Sequence, residues 1–187
     1  MMMNKYNPNI HHRRSIRLKG YDYSQAGLFF ITICCQNRIC RFGDVVDGEM
    51  KLNEYGQIAN DEWVKTPEIR PNVELGEFII MPNHMHGIIR LYGRGELHSP
   101  QMTNELNVSD ILGVCKTPLR SPSQTIGALV RGYKSSVTKQ LGLLGFDEKL
   151  WQRNYWEHII RNEQSYQTIS EYIINNPAKW ADDKFYI

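Results

Sequence analysis

The run MPNHMHGIIRL, residues 81–91, places His84 and His86 two positions apart inside an otherwise apolar stretch. In an extended strand, side chains at i and i+2 point to one face, so the two imidazoles converge while Met85 and Gly87 turn away. A neutral imidazole offers a ring-nitrogen lone pair near neutral pH, and two side by side can clamp one cation, although two ligands seldom fix a metal without a third. The same pattern also suits histidines that only hydrogen-bond across a hairpin. Toward the other end, EYIINNP sets Tyr172 and Asn176 four residues apart, which on a helix is one turn along one face. A phenol can attack a phosphodiester as a covalent nucleophile, and an amide oxygen can supply the ligand that a histidine pair lacks. Spacing alone equally allows an ordinary half-buried helix aromatic and a helix C-terminal asparagine.

These four residues need elements to position them. GLFFITICCQN, from Gly27 to Asn37, is rich in β-branched and aromatic residues and reads as a buried strand. LNEYGQIANDEWVKT reads as a helix capped by Asn53, with Ile58, Trp63 and Val64 at helical spacings. VELGEFIIM and HMHGIIRLY are two strands joined by the turn pair Pro82-Asn83. SQTIGALVRGYKSSVTKQLG puts Ile126, Leu129, Val130 and Tyr133 on one stripe, with Arg131 and Lys134 off it, as an amphipathic helix does. NYWEHIIR reads as a strand, and NEQSYQTISEYIINN as a last helix opened by Asn162. Its end is expected at Pro177, because the residue before a proline is pushed away from helical angles. Strand, helix, hairpin, helix, strand, helix is the order of a ferredoxin-like α+β fold. An antiparallel sheet carries two helices on one face, followed here by a C-terminal helix bearing Tyr172.

At 187 residues the chain suits one domain, residues 1–187, with a basic extension over 1–22 and a flexible insertion over 93–122, where no period is sustained. The longest apolar run, Gly27 to Cys35, is far short of the twenty or so residues that span a bilayer. The N-terminal segment lacks the apolar core of a secretory signal, so a cytoplasmic protein with reduced Cys34, Cys35, Cys40 and Cys115 is expected. Their spacing has no C-x-x-C pair and argues against a structural zinc. Net charge is only +2, but Arg13, Arg14, Arg17 and Lys19 fall within seven positions. Such a run can neutralise backbone phosphates, or be a solvated tail. Together with Arg131 and Lys134 it forms the expected DNA-binding set, and Trp151 or Trp156 can stack on an unpaired base.

MPNHMHGIIRL, followed by LWQRNYWEHIIRNEQSYQTISEYIINNPAKW, resembles the single-tyrosine transposases of the HUH endonuclease superfamily, and in particular the REP-associated tyrosine transposases. The resemblance spans roughly residues 27–179 apart from the insertion. It implies the ferredoxin-like fold, Mg²⁺ or Mn²⁺ held by His84, His86 and Asn176, and Tyr172 as nucleophile toward single-stranded DNA near imperfect hairpins. It further implies a 5′-phosphotyrosyl intermediate and a free 3′-hydroxyl that can re-attack it, so that nicking leads to strand transfer, as in DNA transposition and recombination. A homodimer is compatible with this, the tyrosine helix serving its own subunit or a partner's. Tyr155 and Tyr166 lack a ligand four residues on, where Ile159 and Ser170 stand. His158, in the EHIIR strand, is a candidate for a structural or a proton-handling role, and a histidine that orders the active-site helix is the favoured reading. A second class of function stays open, a domesticated DNA-hairpin-binding protein without cleavage activity. The complete set of His84, His86, Tyr172 and Asn176 favours the enzyme, since binding alone does not require all four.

Overall fold

The computed structural model describes residues 26–92 and 125–186, so the basic segment and the insertion lie outside the described residues. Strand β1 (Gly27–Cys34) is followed by a small hairpin, β2 (Gly43–Val46) and β3 (Glu49–Leu52). Helices α1 (Glu54–Val64) and α2 (Thr66–Ile69) lead to β4 (Val73–Met81) and β5 (His84–Leu91). Then come α3 (Ile126–Leu143), β6 (Trp156–Ile160) and α4 (Glu163–Ile174). Four strands form one antiparallel sheet in the order β4-β5-β1-β6. Of these strands the first in sequence lies between the third and the fourth, which is the ferredoxin-like arrangement.

Local chemistry sets the boundaries. Asn53 and Asn162 cap α1 and α4 through side-chain oxygens that accept from Gly56 N and Ser165 N, and Thr125 does the same for α3 through Ala128 N. The β2–β3 hairpin, not anticipated from the sequence, turns at Asp47-Gly48, both at positive φ (53° and 76°). Asp-Gly is the pair such a turn prefers, because its twist matches that of the strands.

Alternation along β1 divides the molecule into two packed layers. Phe29, Ile31 and Ile33, with Met85 and Ile89 of β5, meet Ala59 and Trp63 of α1 and the Ile126, Leu129, Val130, Tyr133, Val137 stripe of α3. Gly87 makes room for the indole: a Cβ there would stand 2.9 Å from Trp63 Cζ2. Leu28, Ile88 and Ile160, with Phe30 and Ile79, form the opposite face and pack against Tyr166, Ile169 and Ile173 of α4. The terminal helix therefore covers the face that the other two helices leave bare. Among the described residues no helix is long and apolar enough to cross a membrane.

The end of α4 corrects the proline expectation. The α-helix stops at Ile174, and Asn175 is distorted (φ −87°, ψ 1°), yet Asn176, directly before Pro177, is helical (φ −59°, ψ −42°). The steric bias against helical angles before proline is a preference, and here burial of Asn176 and Pro177 outweighs it. Pro177 opens a 3-10 segment to Asp182, a first-turn position that its missing N–H suits.

Candidate metal and nucleophile site

His84 and His86 lie on the α4 face of β5, in register with Cys34 and Thr32 of β1, and both are fully buried at 0 % exposure. Their Nε2 atoms are 3.0 Å apart. Each Nδ1 is engaged behind: His84 with Asn83 Oδ1 at 2.9 Å, and His86 with Thr32 Oγ1 at 2.8 Å. Asn83, also buried, spends its two amide hydrogens on the carbonyls of Arg38 (2.9 Å) and Phe185 (2.8 Å). Its Oδ1 can therefore only accept, His84 carries its proton on Nδ1, and His84 Nε2 is a bare lone pair. The Thr32 hydroxyl both donates and accepts, so it suits either tautomer of His86.

The electrostatics keep both rings uncharged. Burial, assisted by Lys184 and Arg38 and opposed by the Asp183 carboxylate, pushes the His84 pKa down to about 4. Burial, then the neighbouring His84 and Lys184, hold His86 well below its ordinary value.

Tyr172 and Asn176 approach from α4 and its end. The Tyr172 hydroxyl lies 3.1 Å from His86 Nε2 and donates to Asp183 Oδ2 at 3.1 Å, while its ring meets Phe30 edge-on at 6.2 Å. Asn176 Nδ2 donates to the same Asp183 oxygen at 2.9 Å. Burial and the Asp183 carboxylate push the phenol up to about 12, with Asn176 opposing, although Tyr172 keeps 39 % exposure. It is a protonated phenol with one side open to solvent.

Three observations fit this cluster to a divalent cation. The 3.0 Å between the two Nε2 atoms matches neighbouring ligands of one octahedral cation at about 2.1 Å. Asn176 Oδ1 is buried with no hydrogen-bond partner, an acceptor that ordinarily costs about 1–3 kcal/mol to leave unsatisfied. Ligand atoms of His84, His86 and Asp183 lie within 4.8 Å of one another, a grouping of two nitrogens and a carboxylate that divalent metals accept. The partners behind each Nδ1 are the kind that orient metal-binding histidines.

No sequence spacing marks Asp183, Asn83 or Thr32 as site residues. Asp183 follows Tyr172 by eleven residues and returns to the site only because the 3-10 turn reverses the chain, so no helical spacing marks it. Asn83 reads as a turn residue, and Thr32 as a strand residue. The remaining candidates fall elsewhere. Tyr166 donates its hydroxyl to Glu77 at 2.9 Å, and Tyr155 packs against the α1/α3 core across the sheet from Tyr172. Trp151 is core, its indole N–H donating to Lys134 O at 3.1 Å, whereas Trp156 is 58 % exposed. Lys134 Nζ donates to the carbonyls of Gln152 (2.9 Å) and Asn154 (3.0 Å), so its ammonium clips a loop. Arg131 is exposed on α3, across the sheet from the histidines, and His158 is exposed on β6. Arg13, Arg14, Arg17 and Lys19 lie outside the described residues.

No family model matches the chain. A Haemophilus influenzae protein described only as uncharacterized is 45 % identical over 186 residues, covering 100 % of this chain and 99 % of that one. The REP-associated tyrosine transposase of Escherichia coli K12 is 24 % identical over 157 residues, 84 % of this chain and 70 % of that protein. Among solved structures, a REP-associated tyrosine transposase bound to a REP hairpin superposes with a TM-score of 0.56 at 22 % identity, over 90 % of this chain and 76 % of that one. The chain thus belongs to one family with the Haemophilus influenzae protein and is a distant homologue of the REP-associated tyrosine transposases, whose fold it shares.

Proposed function

We propose that the protein is a DNA-processing enzyme of the transposase kind that nicks single-stranded DNA beside a hairpin and transfers the strand through a 5′-phosphotyrosyl bond on Tyr172. The observation that carries the reading is the phenol placed within hydrogen-bond reach of both His86 Nε2 and Asp183 Oδ2. The distant homology supports transposase-like DNA processing, and the relative solved with a REP hairpin supports hairpin DNA as the partner. His84, His86 and Asn176, with Asp183 beside them, would hold Mg²⁺ or Mn²⁺. Such a cation supplies Lewis-acid polarisation of a non-bridging phosphate oxygen, worth several kcal/mol in the transition state.

The chain's own residues supply the rest. A phenol held near pKa 12 is protonated at rest, so attack requires a proton acceptor in contact with Oη. Asp183 Oδ2 occupies that place. As Tyr172 Oη bonds to phosphorus and the P–O3′ bond breaks, the phenolic proton passes to Asp183 and from there to the departing 3′ oxygen. Reversal by a 3′-hydroxyl regenerates a phosphodiester, with no external energy source. Asn83 and Thr32 hold the histidine rings, and the Asp183–Asn176 hydrogen bond holds the carboxylate. Arg13, Arg14, Arg17, Lys19 and Arg131 are backbone-contact candidates.

The test is trapping. Purified protein, labelled single-stranded hairpin DNA and Mn²⁺ are expected to yield a denaturant-resistant adduct that peptide mapping places on Tyr172, and Tyr172→Phe is expected to abolish the adduct while retaining hairpin binding. A nucleotide on Tyr155 or Tyr166 would overturn the mechanism. Hairpin binding with no adduct under either metal would leave the binding-only function in its place.

A further inference from the structure

Beside the histidine pair the backbone adopts a conformation that ordinary residues avoid. Asn37 and Arg38, consecutive and neither a glycine, both have positive φ (56° and 57°). Asparagine tolerates the left-handed region, but arginine seldom enters it, and such strain concentrates at functional positions. Here it is held in place: the Arg38 carbonyl accepts from buried Asn83 Nδ2, and Arg38 N donates to Cys35 O at 3.1 Å. The consequence is the direction of the guanidinium. Arg38 Nη1 donates to Lys184 O at 3.0 Å, and its Cζ lies 5.4 Å from the centre of the Phe185 ring. Lys184 Nζ lies 4.9 Å from the same ring, which packs 4.4 Å from His84 and 5.9 Å from His86.

Two cations are thereby gathered on one buried aromatic ring at the edge of the proposed site. Among the described residues neither Arg38 nor Lys184 forms an ion pair, and both side chains are exposed. Asp183, the nearest acid in sequence, is already committed to Tyr172 and Asn176. A guanidinium fork and a mobile ammonium are the usual donors to phosphate oxygens.

We propose that Arg38 and Lys184 form a two-cation clamp on the Phe185 ring that grips the backbone of single-stranded DNA next to the phosphate presented to Tyr172. This rests on the DNA-processing reading above and adds to it the residues that seat the strand. Because Asn83 joins the strained Arg38 backbone, the Phe185 carbonyl and the His84 ring, the clamp and the histidine pair are held in fixed relation.

The test uses the full chain in EDTA, so that cleavage does not intervene, with a fluorescent thymidine strand of about twelve nucleotides and anisotropy read from about 50 to 200 mM salt. Each lost phosphate contact flattens the plot of log affinity against log salt by about 0.7 for a single strand. Arg38→Gln and Lys184→Gln are each expected to flatten it by that amount, and the double variant by about 1.4. Arg38→Lys is expected to restore most of the slope, and Lys139→Gln, an exposed α3 cation across the sheet, to leave it unchanged. Lys184 is an exposed side chain whose replacement is expected to leave the fold intact, so an unchanged slope in Lys184→Gln overturns the clamp even if Arg38 variants misfold. An equal effect from Lys139→Gln would mean that only overall charge matters, and would also overturn it. Displacement of the strand by about 1 mM inorganic phosphate at fixed ionic strength would make this a free-phosphate site instead, against the proposal. Binding with an unchanged slope rejects the clamp alone, whereas wild-type protein that binds neither this strand nor hairpin DNA rejects the DNA-processing reading as well.

Discussion

On one face of the sheet β1 presents Phe29, Ile31 and Ile33 to α1 and α3; on the other, Phe30, Thr32 and Cys34 face α4 and the chain that follows it. Both faces are buried, but by different means. The first is closed by apolar packing around Trp63, Phe29 and Ile89, each fully buried, and a large apolar side chain contributes about 1.5–3 kcal/mol when removed from water. The second begins in the same way near Leu28 and Ile88, then becomes polar two residues along β5, where His86, His84, Asn83, Thr32 and Asn176 are nearly or wholly buried. Buried polar groups are tolerated only when paired, and each of these has a partner except one oxygen of Asn176. One face stabilises the molecule, and the other uses that stability to hold groups that water would otherwise solvate.

The largest effect should come from the polar face and should not be one of stability. His84→Ala with His86→Ala removes both Nε2 atoms that face the proposed metal site, so Mn²⁺ binding measured by calorimetry and DNA cleavage are both expected to fall below detection. The protein should remain folded by circular dichroism, because the α1/α3 core is untouched. Unchanged Mn²⁺ affinity would remove the histidines from the metal site.

Phe29→Ala makes the opposite cut. Its ring is fully buried in the larger core, and truncating such a ring costs about 3–5 kcal/mol. Urea denaturation should show that loss, while the folded fraction keeps wild-type Mn²⁺ affinity. A lost metal site in folded Phe29→Ala would mean that the two faces are one cooperative unit.

How much of this the sequence discloses follows from which relations are local. The i, i+2 histidines and the i, i+4 Tyr172–Asn176 pair are readable because strand and helix periods fix which face a residue occupies. The helix caps at Asn53 and Asn162 are readable for the same reason, since the cap and the amide it satisfies are three residues apart. Asp183 is unreadable because its approach to Tyr172 depends on the 3-10 turn and on helical angles at Asn176, where the proline rule points the other way. Lys134 joins the expected DNA-binding set by its place off the apolar stripe, but its long stem lets the ammonium reach two loop carbonyls. The Asp47-Gly48 hairpin also has a local signal, the Asp-Gly pair of VVDGEM.

The pH response should separate the faces again. Unfolded, His84 titrates near its ordinary value of 6.5; folded, near 4. Between those values the unfolded chain binds a proton that the folded one refuses, so metal-free stability is complete above about pH 6.5 and falls as pH drops toward about 4. The shift corresponds to roughly 3 kcal/mol from His84, with His86 adding in the same direction. Urea titrations in EDTA at about pH 7 and about pH 4.5 measure it, and His84→Ala with His86→Ala should flatten the dependence. An equal slope in that double variant would assign the acid sensitivity to other groups.

The smallest effect tests whether the polar face depends on α4 being held as a helix from its first turn. Asn162 Oδ1 accepts from Ser165 N at 2.8 Å, and Asn53 Oδ1 accepts from Gly56 N at 2.9 Å, so the two caps are chemically alike. Asn162→Ala and Asn53→Ala should each cost about 1 kcal/mol in urea denaturation. They should differ in what else changes. Tyr172 lies in the last turn of α4, three turns from its cap, and is anchored there by His86, Asp183 and the Phe30 ring rather than by the helix start. Between the cap and Tyr172, Tyr166 and Ser170 fasten the helix to Glu77 of β4. Fraying of the first turn should therefore stop at Tyr166, and hydrogen exchange should quicken only over about residues 163–166. The rate of adduct formation at saturating DNA should stay within about twofold of wild type, since a 0.4 kcal/mol change in barrier is already a factor of two. A much larger loss of rate in Asn162→Ala, with Asn53→Ala unaffected at equal stability, would show that the nucleophile is positioned by the whole of α4, and the anchoring role given to Glu77 would be wrong.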